Sequence, residues 1–495
     1  MERLDCSSPS PSCPFVPSCP RGSVVRFDGS TVWCHHLRLP RSGQTVKPSY
    51  YVRFLLALLA LLVAAADALP AQSLRDRFSQ LFIFGPGADP LFLAGSANTN
   101  NPLTIQAHGT HYVPAAVSQN GALIGFLSEA LAAAVANAPV GATSGGETFR
   151  FEGGVPVRTS SSAGPIFAER AQTLGRGRLL TGIGRSQFRF RALRGVPLEA
   201  IDLIFTHENV DFAGCDEAFG GDCTQMGVPT LENDIMLFRL GLDLDVTVHS
   251  LYATYGVSDR VDVGVVLPLV RTRLSGRSHA QVVPFGGPTA AHFFAGRPET
   301  PELVASRAES GSAFGLGDVT VRVKALLRQT DRVSVALLGD ARFATGDSED
   351  LLGAGHMAAR GLAVFSGRRG NFSPHLNVGY AFRHGDTQTD AVLGTAGFDH
   401  LMAPGITLAA DLVTELQVGR SPLRLPQTVH FDTPFERDVM PSAIPDVRDD
   451  LVNGSLGAKY SPRDGLFLVG NLLVPLNQGG VRPRTTWTWG VEYTF

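Results

Sequence analysis

Ser278 stands beside His279, with His292 and His356 further along the chain, and these are the residue types of a hydroxyl nucleophile and its general base. A lipid hydrolase or acyltransferase would need them within hydrogen-bond reach, but no spacing groups them. The chain has no G-x-S-x-G elbow, no H-E-x-x-H, no P-loop and no G-x-G-x-x-G behind a strand. Gly315-Leu316-Gly317-Asp318 is Gly-rich, yet it runs into the alternating V-T-V-R-V-K and not into a helix whose N-terminus could hold phosphate. His108-Gly-Thr-His111 has no distinctive metal spacing, and Asp211, Asp216, Glu217 and Asp222 match no oxygen-ligand loop for calcium. The expectation is a chain without metal, cofactor or enzymatic activity. Cys215 and Cys223 do suggest chemistry. They close a Gly-containing nine-residue ring that would oxidise to a disulfide after export, stiffening its loop by roughly 2–3 kcal/mol of chain entropy.

The larger set of polar candidates is spread over many segments, each with charge on alternate residues. Arg189, Arg191, Arg239, Asp243, Asp245, His249, Arg322, Lys324, Asp340, Arg342, Glu415 and Lys459 each sit opposite an apolar face, with Asn471 and Glu492 as further members. Charges of both signs on one face of many strands are easily hydrated in a water-filled lumen and costly in lipid, by about 2–4 kcal/mol for Arg or Lys at mid-bilayer. They are therefore read as lumen-facing, with Met236, Phe238, Leu240, Leu242, Leu244, Val246 and Val248 outward.

The element that positions them is a strand of period two, clearest at the end of the chain. In T-T-W-T-W-G-V-E-Y-T-F (485–495), Trp487, Trp489, Val491, Tyr493 and Phe495 share one face, and Thr486, Thr488, Glu492 and Thr494 the other. The alternation at Val491, Tyr493 and the final Phe495 resembles the assembly signal of bacterial outer-membrane barrels, so the barrel assembly machinery and outer-membrane lipids are expected partners. A net charge of −3 gives no reason to expect nucleic acid. High Gly (54) and Phe (30), with mean hydropathy near zero, also favour a barrel over a helical membrane protein.

Four segments follow from this reading. Residues 54–66 form an apolar run of about thirteen, too short to span a bilayer as a helix, with Lys47 and Arg53 ahead and small residues behind. That predicts a signal peptide over 47–71. Residues 1–46 then precede a signal, are rich in Ser, Pro and Cys, and are expected to be a mis-assigned N-terminal extension, with translation starting near Val46 or Val52. Residues 72–146 do not alternate. A helix over 118–138, with Leu123, Phe126, Leu127, Leu131 and Val135 on one stripe, predicts a plug or hatch, or else a small periplasmic appendage.

From 147 to 495 the sequence predicts an all-β transmembrane antiparallel barrel of about fourteen strands, twelve if 147–170 belongs to the plug. The expected strands are 147–170, 178–192, 198–210, 234–255, 260–274, 316–328, 332–345, 356–367, 371–385, 399–409, 411–420, 449–461, 465–476 and 485–495. Phased from a periplasmic C-terminus, the short links 193–197, 256–259, 329–331, 367–370 and 461–464 fall inside. The long ones, 211–233, 276–315, 386–398 and 421–448, fall outside.

V-G-V-V-L-P-L (263–269), G-L-G-D-V-T-V-R-V-K-A-L-L (315–327), A-L-L-G-D-A-R-F-A-T-G-D (336–347) and G-S-L-G-A-K-Y (454–460) together resemble the outer-membrane barrel transporters of the phenol meta-cleavage degradation pathway. Ala344 stands where that family commonly has Pro. The resemblance covers roughly 235–495 and implies a channel for passive uptake of small hydrophobic or aromatic molecules, related in design to the fatty-acid and aromatic-hydrocarbon uptake barrels. Phe285, Phe293 and Phe294 in the long 276–315 loop would supply apolar surface to such a solute. A structural or adhesive barrel acting through its loops, or an outer-membrane lipid-modifying enzyme, are the alternative readings.

Overall fold

The computed structural model describes residues 72–84, 90–91, 93, 163–206, 234–284, 292–297, 299–384, 388–421 and 435–495. It also describes strands at 24–27, 30–33, 95–96, 149–152 and 155–158 and parts of 423–431. The chain separates into residues Met1–Pro70, in which the described part is one antiparallel hairpin, and Ala71–Phe495. The signal peptide, the 118–138 helix, Cys215, Cys223 and Phe285 lie outside the described residues.

Twelve antiparallel strands close on themselves. They are β1 (Leu179–Leu193), β2 (Ile235–Ser258), β3 (Val261–Val283), β4 (Thr320–Gln329), β5 (Val333–Arg342), β6 (Ala358–Gly367), β7 (Phe372–Arg383), β8 (Ala391–Ala403), β9 (Ile406–Gln417), β10 (Leu451–Arg463), β11 (Leu466–Pro475) and β12 (Val481–Thr494). Each pairs with its sequence neighbour, and β12 pairs back onto β1 from Val481–Leu193 to Thr494–Leu180. Closure leaves no strand edge in lipid, the condition for an irregularity-free membrane crossing.

The outer surface carries an apolar band. On β3, Val261, Val263, Val265, Leu267 and Leu269 point out, and Arg271 begins a polar run. Nine residues rise roughly 27 Å along the strand, a little over 20 Å once the usual tilt is applied, against about 25 Å for such barrels. Trp487, Trp489, Val491 and Phe495 point out on β12, with Trp487 and Trp489 stacked at 6.0 Å. The Phe495 N–H donates to the Leu179 carbonyl at 2.8 Å, seating the chain end on the first strand.

The count is the twelve-strand alternative, and the fourteen-strand expectation is corrected at two places. Residues 163–177 lie inside the barrel wall, and 198–210 yields only the short strand Ile201–Thr206, which pairs with the upper end of β2. The link at 193–197 belongs to the long-loop end, because Arg194 (φ 48) and Gly195 (φ 86) form a tight hairpin turn opposite Val481. Between 386 and 420 the expected loop and strand break are displaced: 391–403 is β8, and the turn is Pro404-Gly405, with Gly405 at φ +76. β8 was hard to read because its outward residues Gly394 and Ala396 are small. The expected 276–315 loop is largely strand, since β3 continues to Val283 and Val304–Leu316 returns beside it.

Candidate functional site: a lumen closed at two levels

Residues 163–177 cross the short-turn mouth of the barrel as a belt, touching the wall strand by strand. The Ala163 N–H donates to Thr407 Oγ1 (3.0 Å), the Ala171 N–H to Ser366 Oγ (2.9 Å), and the Leu174 N–H to both Asp262 oxygens (3.2 and 3.1 Å). The Gly177 N–H donates to the Gly256 carbonyl at 2.8 Å. The belt also fills space. Ile166 packs on Ala409 and Val469, and Ala171 sits among Ala336, Leu338 and Val364. Glycine is required where the belt meets β2: a Cβ on Gly256 would stand 2.0 Å from the Gly175 carbonyl oxygen.

Charge locks the belt in place. Glu169 pairs with Arg322, which reaches Asp340 at 3.3 Å, and Asp340 accepts from Arg360 at 2.6 Å. Arg170 donates to Asp399 at 2.7 Å, with both side chains almost fully buried. His375 bridges Asp411 at 2.6 Å and Asp399 at 3.7 Å. Around the same level Lys324 faces Asp262 at 3.5 Å, and Lys459 faces Glu492 at 3.2 Å, where Tyr252 also donates at 3.0 Å. Further up the wall Arg342 faces Asp318 at 3.7 Å and Arg383 meets Glu415 at 2.5 Å. Such pairs confer little net stability against an apolar filling, but losing one partner strands a buried charge at a cost of about 3–5 kcal/mol.

Arg322, Lys324, Asp340, Arg342, Glu415 and Lys459 thus lie on the inner wall. Arg189, Arg191, Arg239, Asp243, Asp245 and His249 do not: their side chains point outward, and Met236, Phe238, Leu240, Leu242, Leu244, Val246 and Val248 are buried inside. This corrects the phase assigned to upper β2. β2 spans 24 residues, about 79 Å at 3.3 Å each, and stands far above the bilayer. Past the apolar band the outside is water and the inside is an apolar core, so the polarity of the two faces exchanges while the period stays two. Outward ion pairs Arg189–Asp245 (3.3 Å), Arg191–Asp243 (3.4 Å) and Arg239–Asp202 (2.6 Å) decorate that upper wall.

The upper core is filled by helix α1 (Leu74–Gln80) and the turns behind it. Ser73 caps the helix by accepting from the Asp76 N–H, and Leu74 and Phe78 form its buried face. Phe82 stacks on Phe238 at 4.9 Å and 9°, with Phe205 edge-on to Phe238 at 5.7 Å. Gly276 and Gly311 leave the room: a Cβ there would meet Leu81 at 2.4 Å and Leu74 and Arg77 at 2.7 Å. Phe293 and Phe294 are buried in the same region, Phe294 against Phe84 at 5.2 Å. Ser278 and His279 face opposite ways. The Ser278 hydroxyl donates to the Leu81 carbonyl at 2.6 Å, His279 meets Ser306 outside at 3.0 Å, and His292 is held by Asp234 at 2.7 Å.

Sequence reasoning missed Glu169, Arg170, Asp262, Asp399, Asp411 and Tyr252. Asp262 had a signal, as an acid inside an otherwise apolar run. Asp399 and Asp411 sat at the misplaced strand ends and so carried no facing.

A closed twelve-stranded barrel with an apolar outer band is an outer-membrane β-barrel. Residues 238–420 match the family described as "Putative MetA-pathway of phenol degradation", and the segments 263–269, 315–327 and 336–347 that carry the resemblance fall within that match. No curated protein matches the chain in sequence. Among solved structures it is similar to an outer-membrane channel from Pseudomonas putida F1 (12% identity, 66% of this chain and 98% of the other, TM-score 0.37). It is also similar to a FadL homologue from Pseudomonas aeruginosa (10%, 64% and 90%, 0.29) and to a mutant of the TodX monoaromatic hydrocarbon channel (11%, 66% and 92%, 0.31).

Proposed function

We propose that the protein is a normally closed channel for passive uptake of small hydrophobic organic molecules across the outer membrane. The observation that carries this is the division of its interior. The loop-end half is an apolar chamber built on Phe238, Leu240, Leu242, Leu244 and Val246, and the periplasmic half is a polar mouth barred by the 163–177 belt. A solute would partition into the chamber by displacing the 74–84 segment, and would leave when the belt yields. Separation of the two halves lets the mixed-charge mouth and an apolar path for the solute coexist in one lumen. During biogenesis, the outward Val491, Tyr493 and Phe495 would engage the barrel assembly machinery.

The test compares full-length protein with a variant in which 163–177 is replaced by a Gly-Ser linker, in planar bilayers and in proteoliposomes loaded with a fluorescent hydrophobic probe. The expected result is a full-length protein that is closed to ions and passes the probe slowly, through brief openings of the belt, and a variant that conducts and passes the probe many times faster. Silence in both assays would refute the channel.

A further inference from the structure

Directly above the apolar band, one stretch of the outer wall is cationic and lacks a matching acid. Arg185 on β1 is the register partner of His249 on β2, and His249 faces Leu269, the last apolar outward residue of β3. Arg271 follows two residues on, pairing with Thr247. Arg185 and Arg271 are exposed, and among the described residues no ion pair is made by either. The charges that act on His249 come from these two arginines, with no acid among them. Higher on the wall acids are interspersed with the arginines: Asp245, Asp243 and Asp202 pair with Arg189, Arg191 and Arg239, while Arg273 and Arg277 on β3 make no ion pair among the described residues. The row nearest the lipid carries no acid.

Its frame is apolar and aromatic. Trp489 is the register partner of Arg185 across β12 and β1, with exposed Trp487 stacked on it, and Phe314 lies 5.8 Å beneath the Arg271 guanidinium. The row begins where the apolar outward run of β3 ends, at Leu269, which puts it at headgroup depth, where an arginine is tolerated. Aromatic belts at this depth pack acyl chains and headgroup sugars, and guanidinium groups bind phosphate by paired N–H donors.

We propose that Arg185, His249 and Arg271 form a docking site on the outer wall for the phosphate-bearing headgroup of an outer-leaflet glycolipid, with Trp487, Trp489 and Phe314 as its apolar frame. Charge complementarity selects the phosphate, and placement one row above the band selects a lipid over a free anion. The site does not depend on which solute the lumen passes.

The experiment titrates detergent-purified full-length protein with diphosphorylated lipid A and counts bound lipid by native mass spectrometry. Heat-shifted electrophoretic mobility verifies folded barrels. Arg185→Gln with Arg271→Gln should lower occupancy at least tenfold. Arg185→Lys with Arg271→Lys should retain most of it, and Arg277→Gln, higher on β3, should leave it unchanged. Undiminished binding in the double Gln variant would overturn the proposal. So would an equal loss in Arg277→Gln, which would mean diffuse attraction, or full competition by equimolar inorganic phosphate, which would mean a simple anion site.

Discussion

Replacing Arg170 by Met should open the periplasmic mouth. The Arg170–Asp399 contact is a 2.7 Å charge-assisted bond with side-chain exposures of 4% and 1%, so the substitution leaves a buried carboxylate. Losing one partner of such a pair costs about 3–5 kcal/mol. His375, 3.7 Å from Asp399, retains part of the compensation, and a displaced belt lets water reach the acid, so the lower end of that range applies. A penalty of about 3 kcal/mol falls on the closed state alone and raises the open-to-closed ratio roughly a hundredfold. Single-channel recording reads this as open probability, with circular dichroism and heat-shifted mobility showing that the barrel is intact. Arg170→Met combined with Asp399→Asn should cost less than the sum of the two single changes, because they remove one shared interaction. An unchanged open probability in a folded Arg170→Met barrel would refute the idea that this pair holds the belt.

Gly256→Val should act by sterics, since its Cβ would collide with the Gly175 carbonyl at 2.0 Å, and conductance should rise while the β2 ladder remains folded. Phe82→Ala removes the ring stacked on Phe238 and should loosen the 74–84 segment by about 3 kcal/mol or more, seen as faster tryptic cleavage at Arg75 and Arg77. Asp450, in the connection before β10, is held below its ordinary 3.8 by its hydrogen bond to Arg448. A depressed carboxylate contributes above its unfolded value and loses that contribution as pH falls through the folded one. Hydrogen exchange of the Gln417 amide, which donates to Asp450, should therefore be protected at neutral pH and lose protection below about pH 3.8, whereas Asp450→Asn should show no such transition.

Strand period and location were legible in the sequence because alternation is a local property: Trp487 to Phe495 showed its outward face without any partner. Inside-versus-outside was legible only within the bilayer. At Val261–Leu269 lipid forces the apolar set outward, but at Met236–Val248 the same alternation encodes the opposite orientation, and nothing local marks where β2 leaves the membrane. The inward charges Arg322, Lys324, Asp340 and Lys459 could be read from their strands. Their partners could not, because Glu169 and Arg170 come from a segment with no period, and pairing across the lumen is a tertiary fact. The turn at Pro404-Gly405 was passed over although Gly405 sits at positive φ, because the small residues of β8 blurred the strand before it and 399–409 read as one run.

Tethering the belt tests the central claim most directly. Ala171 and Ser366 meet at 2.9 Å between the amide nitrogen and the hydroxyl, so Ala171→Cys with Ser366→Cys places two thiols across the contact. Uptake of a hydrophobic fluorescent probe into proteoliposomes should stop when the pair is oxidised and return on reduction, with the unsubstituted protein and each single substitution indifferent to both treatments. Equal uptake in the oxidised and reduced states, with the crosslink verified by mass, would contradict a lumen gated at its periplasmic mouth.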